Sequence, residues 1–216
     1  MSQAEPPVGA ADLAVLRAQL GRPPRAVRAV SYRCPCGDPA VVQTHPRLED
    51  GTPFPTLYYL TCPRLCSAVS TLEAGGLMRE MTERLATDPE LAAAYRRAHE
   101  SYLAERDAIE PLGTDVSAGG MPDRVKCLHV HVAHALASGP GVNPFGDEAL
   151  ATIGPWHRAG RCTPAVPAAS AGPAAAAPVA SDASAAADAS AAADVGQEAA
   201  VHDSTGVHEG HGGVGE

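Results

Sequence analysis

A sharp change in composition divides this chain and limits the part that can build a folded core. Residues 163–216 are rich in alanine, glycine, proline and serine, and contain the six-residue repeat DASAAADASAAAD. Alanine buries little apolar area, so such a segment gains too little from burial to offset the entropy of ordering it. We therefore predict three parts: a flexible N-terminus (1–9), a folded domain (10–155) and a disordered acidic tail (156–216).

The charge follows the same division. The whole chain has 16 basic and 25 acidic residues and a net charge of −9. Residues 163–216 contain seven of the acidic residues and none of the basic ones. Residues 1–162 therefore carry 16 basic and 18 acidic groups, a net charge of −2. A nearly neutral body gives no electrostatic basis for binding nucleic acid.

The N-terminal residues MSQAEPP show neither the basic start nor the apolar run of a secretory signal. No stretch reaches the roughly 18 uncharged apolar residues that a membrane span requires. We therefore expect a cytoplasmic protein without a membrane span. In that compartment, six cysteines indicate thiol, redox or metal chemistry more than a disulfide framework.

Turn signals and hydrophobic spacing predict an α+β fold, in which a small antiparallel sheet packs with four or five helices. Stretches rich in β-forming residues predict strands at 26–32, 40–44 and 56–61. Helical spacing and helix-start signals predict helices at 12–20, 63–73, 77–86, 89–108 and 124–137. We expect Asp88 and Asp123 to cap the last two of these helices.

The cysteines lie at positions where their sulfurs can be exposed to an ion or a substrate. Cys34 and Cys36 belong to CPCG, at an expected strand end, where a glycine turn can direct both sulfurs to one ion. Cys62 falls at the expected N-terminus of a helix, whose dipole and free amides favour the thiolate. Cys162 adjoins the tail, and we interpret it as an incidental free thiol.

The string CLHVHVAH is the densest source of ligands. At about 100° per residue, a helix would place Cys127, His131 and His134 on one face. A strand would instead group Cys127, His129 and His131. We favour the helix, because leucine and alanine continue the segment. Thiolate with imidazole suits zinc or an iron–sulfur cluster. The alternative is that these side chains are ordinary core or surface groups.

Four longer strings resemble the bacterial family Domain of Unknown Function 501, in its actinobacterial form. They are RCPCGDPAVV (33–42), DGTPFPTLYYLTCPR (50–64), LATDPELAAAYRRAHESYLAERD (85–107) and MPDRVKCLHVHVAHALASGPGVNPFGDEAL (121–150). The match covers about residues 12–150 with the strings in the family's order. The family has no established activity, so the resemblance implies which family the chain belongs to but not what it does.

The resemblance does imply which positions belong to the family's motifs. Cys34, Cys62, Cys127 and His129 fall on them, and His134 fits the same block as Cys127 and His129. Cys36 belongs to the CPCG form, whereas we expect an aromatic residue there in other versions. Such genes often lie beside a septum-formation initiator gene, which implies a cell-division or envelope context.

Three functions follow as hypotheses, and none of them comes with a substrate. The first is a metal-binding protein with a structural or catalytic zinc ion or iron–sulfur cluster. Its candidate ligands are Cys34, Cys36, Cys62, Cys127, His129 and His134. The second is a thiol-redox enzyme in which Cys62 attacks as thiolate and Cys36 or Cys66 resolves the mixed disulfide. The third is a non-catalytic interaction protein with a partner in cell division.

Overall fold

A computed structural model describes residues 8–157 and 160–163 of the protein. Its described elements, in chain order, are α1 (Ala10–Leu20), β1 (Val27–Arg33), β2 (Pro39–Thr44), β3 (Tyr58–Leu60), α2 (Pro63–Ala74), α3 (Leu77–Thr87), α4 (Pro89–Asp107), α5 (Leu128–Ser138) and α6 (Pro144–Ile153). The predicted α+β class is confirmed. The described part has six helices, because a helix follows the turn at Asn143. Most of the predicted tail lies outside the described residues.

The three strands form one antiparallel sheet in the order β1-β2-β3. Strand β2 lies in the middle and pairs through Val41 with Tyr32 on one side and with Leu60 on the other. All but one of its residues are buried, which is expected of a short central strand covered by other elements. Helix α5 packs on β3, and the core contains buried residues of the sheet, of α5 and of α2, α3, α4 and α6.

Most helices begin and end where local signals predict. The Asp88 side chain accepts a hydrogen bond from the amide of Leu91 at 2.9 Å and so caps α4, with Pro89 in the first helical position. Helix α2 begins at Pro63 and is followed by a glycine pair, of which Gly76 has a φ of 86°. Among the described residues, every helix is too short or too polar to cross a membrane.

Helix α5 differs from the prediction. It begins at Leu128 instead of residue 124, and Cys127 precedes it in an extended conformation with φ −151° and ψ 108°. The expected cap, Asp123, is not at its N-terminus. The carboxylate of Glu73, on α2, accepts the hydrogen bond of the Leu128 amide at 2.7 Å. The helix therefore starts where a neighbouring helix supplies an acceptor, which local sequence signals do not reveal.

Candidate metal centre

Four cysteine thiols gather at one end of the sheet. The sulfurs of Cys34, Cys36 and Cys162 lie within 4.8 Å of one another, and those of Cys34 and Cys162 are 3.5 Å apart. The thiol of Cys62 interacts with that of Cys162. All four are free thiols. We call these four residues the thiol cluster.

The turn between β1 and β2 brings the first two sulfurs together. The amide of Gly37 donates to the carbonyl of Cys34 at 2.8 Å, and the amide of Cys34 donates to the carbonyl of Asp38 at 2.9 Å. Gly37 has a φ of 93°, a conformation that favours glycine and closes the turn tightly. This agrees with the glycine turn expected for CPCG. Cys62 reaches the same place as the N-cap of α2.

Cys162 comes to the cluster from the far end of the described chain, 128 residues after Cys34. Its segment is held by contacts that do not involve sulfur. The buried carboxylate of Asp38 accepts hydrogen bonds from the Arg161 guanidinium at 2.5 Å and from the Thr163 amide at 3.3 Å. Sequence reasoning missed the contacts of Asp38 and the proximity of Cys162 to the other thiols, because no short-range signal links these residues.

The surroundings of the thiol cluster shift the pKa values of its cysteines in different directions. Burial raises the pKa of Cys34, and burial together with the neighbouring thiols raises the pKa of Cys162. Burial opposes the thiolate of Cys36 as well, but the backbone amides of Asp38 and Cys162 donate to its sulfur, and its pKa is lowered. Amide donors of this kind stabilise a negatively charged sulfur.

The other three predicted ligands lie elsewhere. Cys127 and His129 form a separate group with Glu73 at the start of α5, within 4.8 Å of one another. We call these three residues the α5 cap cluster. His134 belongs to neither group and is completely buried in the core. The six predicted ligands are thus divided among three places in the structure.

In the α5 cap cluster, one carboxylate oxygen accepts two hydrogen bonds. Glu73 Oε1 lies 2.7 Å from the Leu128 amide nitrogen and 3.1 Å from His129 Nδ1. The thiol of Cys127 lies within 4.8 Å of the His129 imidazole and of the Glu73 carboxylate. That thiol, and to a lesser degree Glu73, outweigh the effect of burial and raise the pKa of His129 to about 9.

His134 lies in a buried polar network. Asn143 Nδ2 donates to Nδ1 of His134 at 3.2 Å and to Nδ1 of His131 at 3.3 Å. The His134 ring stacks on that of Tyr58 at a centroid distance of 5.9 Å, and its Nε2 lies 3.9 Å from Oε1 of Glu105. These contacts give His134 a packing role in the core.

Cys66, one of the two resolving thiols that the redox hypothesis names (the other is Cys36), is half-buried. Its thiol donates to the carbonyl of Leu60 at 3.6 Å. Burial raises its pKa to about 12, with further contributions from the neighbouring Cys62 and Cys127. Because the thiolate is the reactive form of cysteine, this environment makes Cys66 a poor nucleophile near neutral pH.

A family model described as "Protein of unknown function (DUF501)" matches residues 30–151, which is more than half of the chain. The matched region contains Cys34, Cys36 and Cys62 of the thiol cluster and the whole α5 cap cluster. No curated protein and no solved structure matches the chain.

Proposed function

The chain belongs to the DUF501 family of proteins of unknown function, and we propose that it is a metal-binding protein whose thiol cluster holds one structural zinc ion. The observation that carries the proposal is the convergence of four thiols from three distant segments. Three of their sulfurs lie within 4.8 Å of one another, and the fourth interacts with Cys162. Four thiolates are a common ligand set of structural zinc sites.

The sulfur spacing supports a single ion. Zn–S bonds of about 2.3 Å in a tetrahedron place the sulfurs about 3.8 Å apart. The Cys34 and Cys162 sulfurs, at 3.5 Å, are close to that distance before any ion draws them into place. An iron–sulfur cluster distributes its cysteines over several iron atoms and so separates their sulfurs more widely. The spacing therefore favours zinc over a cluster.

Burial supports a structural ion over a catalytic one. Cys34, Cys62 and Cys162 expose only 2%, 0% and 6% of their surface. Four protein ligands would complete a tetrahedral coordination sphere and leave no position for water or substrate. The ion would join the β1–β2 turn, the start of α2 and the segment 160–163, and thereby stabilise a domain with few aromatic residues.

The geometry gives less support to the alternative functions. A thiol-redox role for Cys62 requires access of a substrate to its sulfur, but Cys62 is completely buried. Of the two proposed resolving residues, Cys36 and Cys66, the second is disfavoured as a thiolate. A cell-division partner stays a prediction of the family resemblance.

The test is elemental analysis of the full, untagged chain, purified without oxygen. We expect close to one zinc per chain in the wild type, and loss of the zinc in Cys34→Ser and Cys162→Ser. The matched control is Cys66→Ser, because Cys66 is a neighbouring half-buried cysteine outside the thiol cluster. That variant should retain its zinc.

Replacement of zinc by Co²⁺ provides a test that needs no variant. Four thiolates around Co²⁺ should produce strong sulfur-to-metal charge-transfer absorption and the intense visible bands of a tetrahedral ion. A folded wild-type chain without metal would contradict the proposal, as would zinc loss in Cys66→Ser equal to that in Cys162→Ser. Iron together with inorganic sulfide in the purified protein would contradict the zinc proposal and indicate an iron–sulfur cluster.

A further inference from the structure

The α5 cap cluster has the arrangement of an activated thiol and lies outside the proposed zinc site. We infer that Cys127, His129 and Glu73 form a nucleophilic site in which the Cys127 thiolate attacks small carbon electrophiles. Cys127 is the nucleophile, His129 takes its proton, and Glu73 positions the imidazole. The inference does not depend on the zinc proposal, because it concerns different residues.

The contacts form a chain from nucleophile to base to orienting group. The sulfur of Cys127 lies within 4.8 Å of a ring nitrogen of His129, whose Nδ1 is 3.1 Å from Oε1 of Glu73. The same oxygen accepts from the Leu128 amide at 2.7 Å, which fixes the carboxylate against the helix terminus. A nucleophile in contact with a base that a third group orients is the signature of covalent catalysis.

The position of Cys127 in the chain explains why residues two apart can meet. Cys127 is extended and is the N-cap of α5, whereas His129 lies in its first turn. A continuous helix through Cys127 would have turned the two side chains away from each other. The N-terminal end of α5 also favours a negatively charged sulfur beside it.

The local charges strengthen His129 as the base of the Cys127–His129 pair. Glu73, Ser70 and Cys66 face this pair from α2, and Glu73 carries the negative charge. The raised pKa of His129, about 9, gives its imidazole the affinity for a proton that a base beside a thiol requires. The Cys66 thiol instead donates to the backbone carbonyl of Leu60, which makes Cys66 an internal reference for reactivity.

The exposure of the group and its hydrogen bonds favour a nucleophile over a second structural zinc site. The side chains of Glu73 and His129 are 21% and 28% exposed, and Cys127 is half-buried, so a small reagent can reach the sulfur. Among the residues that the structure describes, this group offers three candidate ligands, and Glu73 Oε1 already accepts two hydrogen bonds. A structural zinc ion usually requires four ligands.

Iodoacetamide is a suitable probe because its reaction is defined at every atom. The thiol proton of Cys127 passes to the imidazole of His129. The thiolate sulfur then forms a bond with the methylene carbon of the reagent, the carbon–iodine bond breaks, and iodide leaves with the bonding electrons. The product is a carbamidomethyl thioether that peptide mass spectrometry assigns to one cysteine.

The experiment measures alkylation rates at Cys127 and Cys66 in the full chain as purified. We expect Cys127 to react at least roughly tenfold faster than Cys66. His129→Gln should lower the Cys127 rate by roughly tenfold or more and raise the pH at which that rate is half-maximal. Glu73→Gln keeps a hydrogen-bond acceptor for the Leu128 amide, and should raise the same pH midpoint by less.

The matched control is Ser67→Ala, an exposed position on α2, which should react like the wild type. Equal rates at Cys127 and Cys66 in the wild type would overturn the inference without any variant. An unchanged rate in folded His129→Gln would also overturn it. So would a second bound zinc that blocks Cys127 and is lost in Glu73→Gln. Zinc content in Cys127→Ser tests the thiol cluster separately, since that variant should keep its ion.

Discussion

At the scale of single residues, one glycine sets how closely α5 and α6 approach. A Cβ atom on Gly146 would lie 2.1 Å from the carbonyl oxygen of His131 and 2.7 Å from the Cβ of Ala135. The first of these atoms belongs to the helix backbone, so it cannot move aside as a flexible side chain would. Gly146 therefore allows a contact between helices that no other residue permits.

We expect Gly146→Ala to destabilise the protein by about 2 kcal/mol or more, measured by urea unfolding. Alanine favours a helix by up to about 1 kcal/mol over glycine, but overpacking against backbone costs about 1–3 kcal/mol or more. The control is Gly75→Ala, where φ is −74° and the new Cβ would lie 3.4 Å from its nearest neighbour. That change should be nearly neutral. An equally stable Gly146→Ala would contradict the expected clash.

At the scale of secondary-structure elements, Asn143 joins α5 to α6 with all of its polar atoms. Its Oδ1 accepts from the amide of Gly146 at 3.0 Å and caps α6. Its Nδ2 donates to Nδ1 of both His131 and His134, which lie on α5. Those two bonds leave Nε2 of each ring as the protonated nitrogen, and Nε2 of His131 donates to the carbonyl of Gly119 at 3.2 Å.

Asn143→Ala should therefore cost more than the loss of an ordinary helix cap. Asp88→Ala removes an exposed cap from α4, which we expect to cost about 1 kcal/mol. Asn143→Ala removes a cap and also leaves two buried imidazole nitrogens without a donor, so about 3 kcal/mol is expected. Urea unfolding of both variants makes the comparison. Equal losses would show that the bonds to the two histidines contribute nothing.

At the scale of the whole molecule, buried titratable groups couple stability to pH. His131 is completely buried, and burial lowers its pKa to about 3. Burial opposes the charge of Glu105, but the adjacent His134 imidazole, 3.9 Å away, and hydrogen bonds from Tyr58 and Ser101 lower its pKa to about 2 overall. The folded protein therefore binds fewer protons than the unfolded chain in acid, and stability falls as the pH falls.

His131 sets the direction of this pH dependence and the pH range in which it appears. An unfolded histidine gains a proton near pH 6.5, whereas folded His131 stays neutral. Above that pH, His131 adds no pH dependence to the free energy of unfolding. Below it, the free energy of unfolding falls by about 1.4 kcal/mol per pH unit, because the unfolded chain binds a proton that folded His131 does not. Urea unfolding between pH 6.5 and 5 should show this slope in the wild type and a shallower one in His131→Gln. Parallel curves for the two proteins would exclude His131 as the source.

The sequence by itself determined those features that depend on neighbours within a few residues. Strand formers, turn glycines and helix-start residues predicted all three strands, and the Asp88 cap of α4 was predicted correctly. The tight turn at CPCG was also predicted, because Gly37 supplies the required positive φ. Family membership followed from the order of several long strings and is confirmed by the family match.

Only the tertiary structure decided which chemical groups meet. Cys162 contacts Cys34 across 128 residues because Asp38 holds the segment that contains it. Helix α5 starts four residues late because Glu73, on another helix, accepts its first amide. Cys127 and His129, at this start, form a group with Glu73 that is separate from the thiol cluster. Contacts between distant segments depend on how whole elements pack, and sequence spacing within one element does not encode that packing.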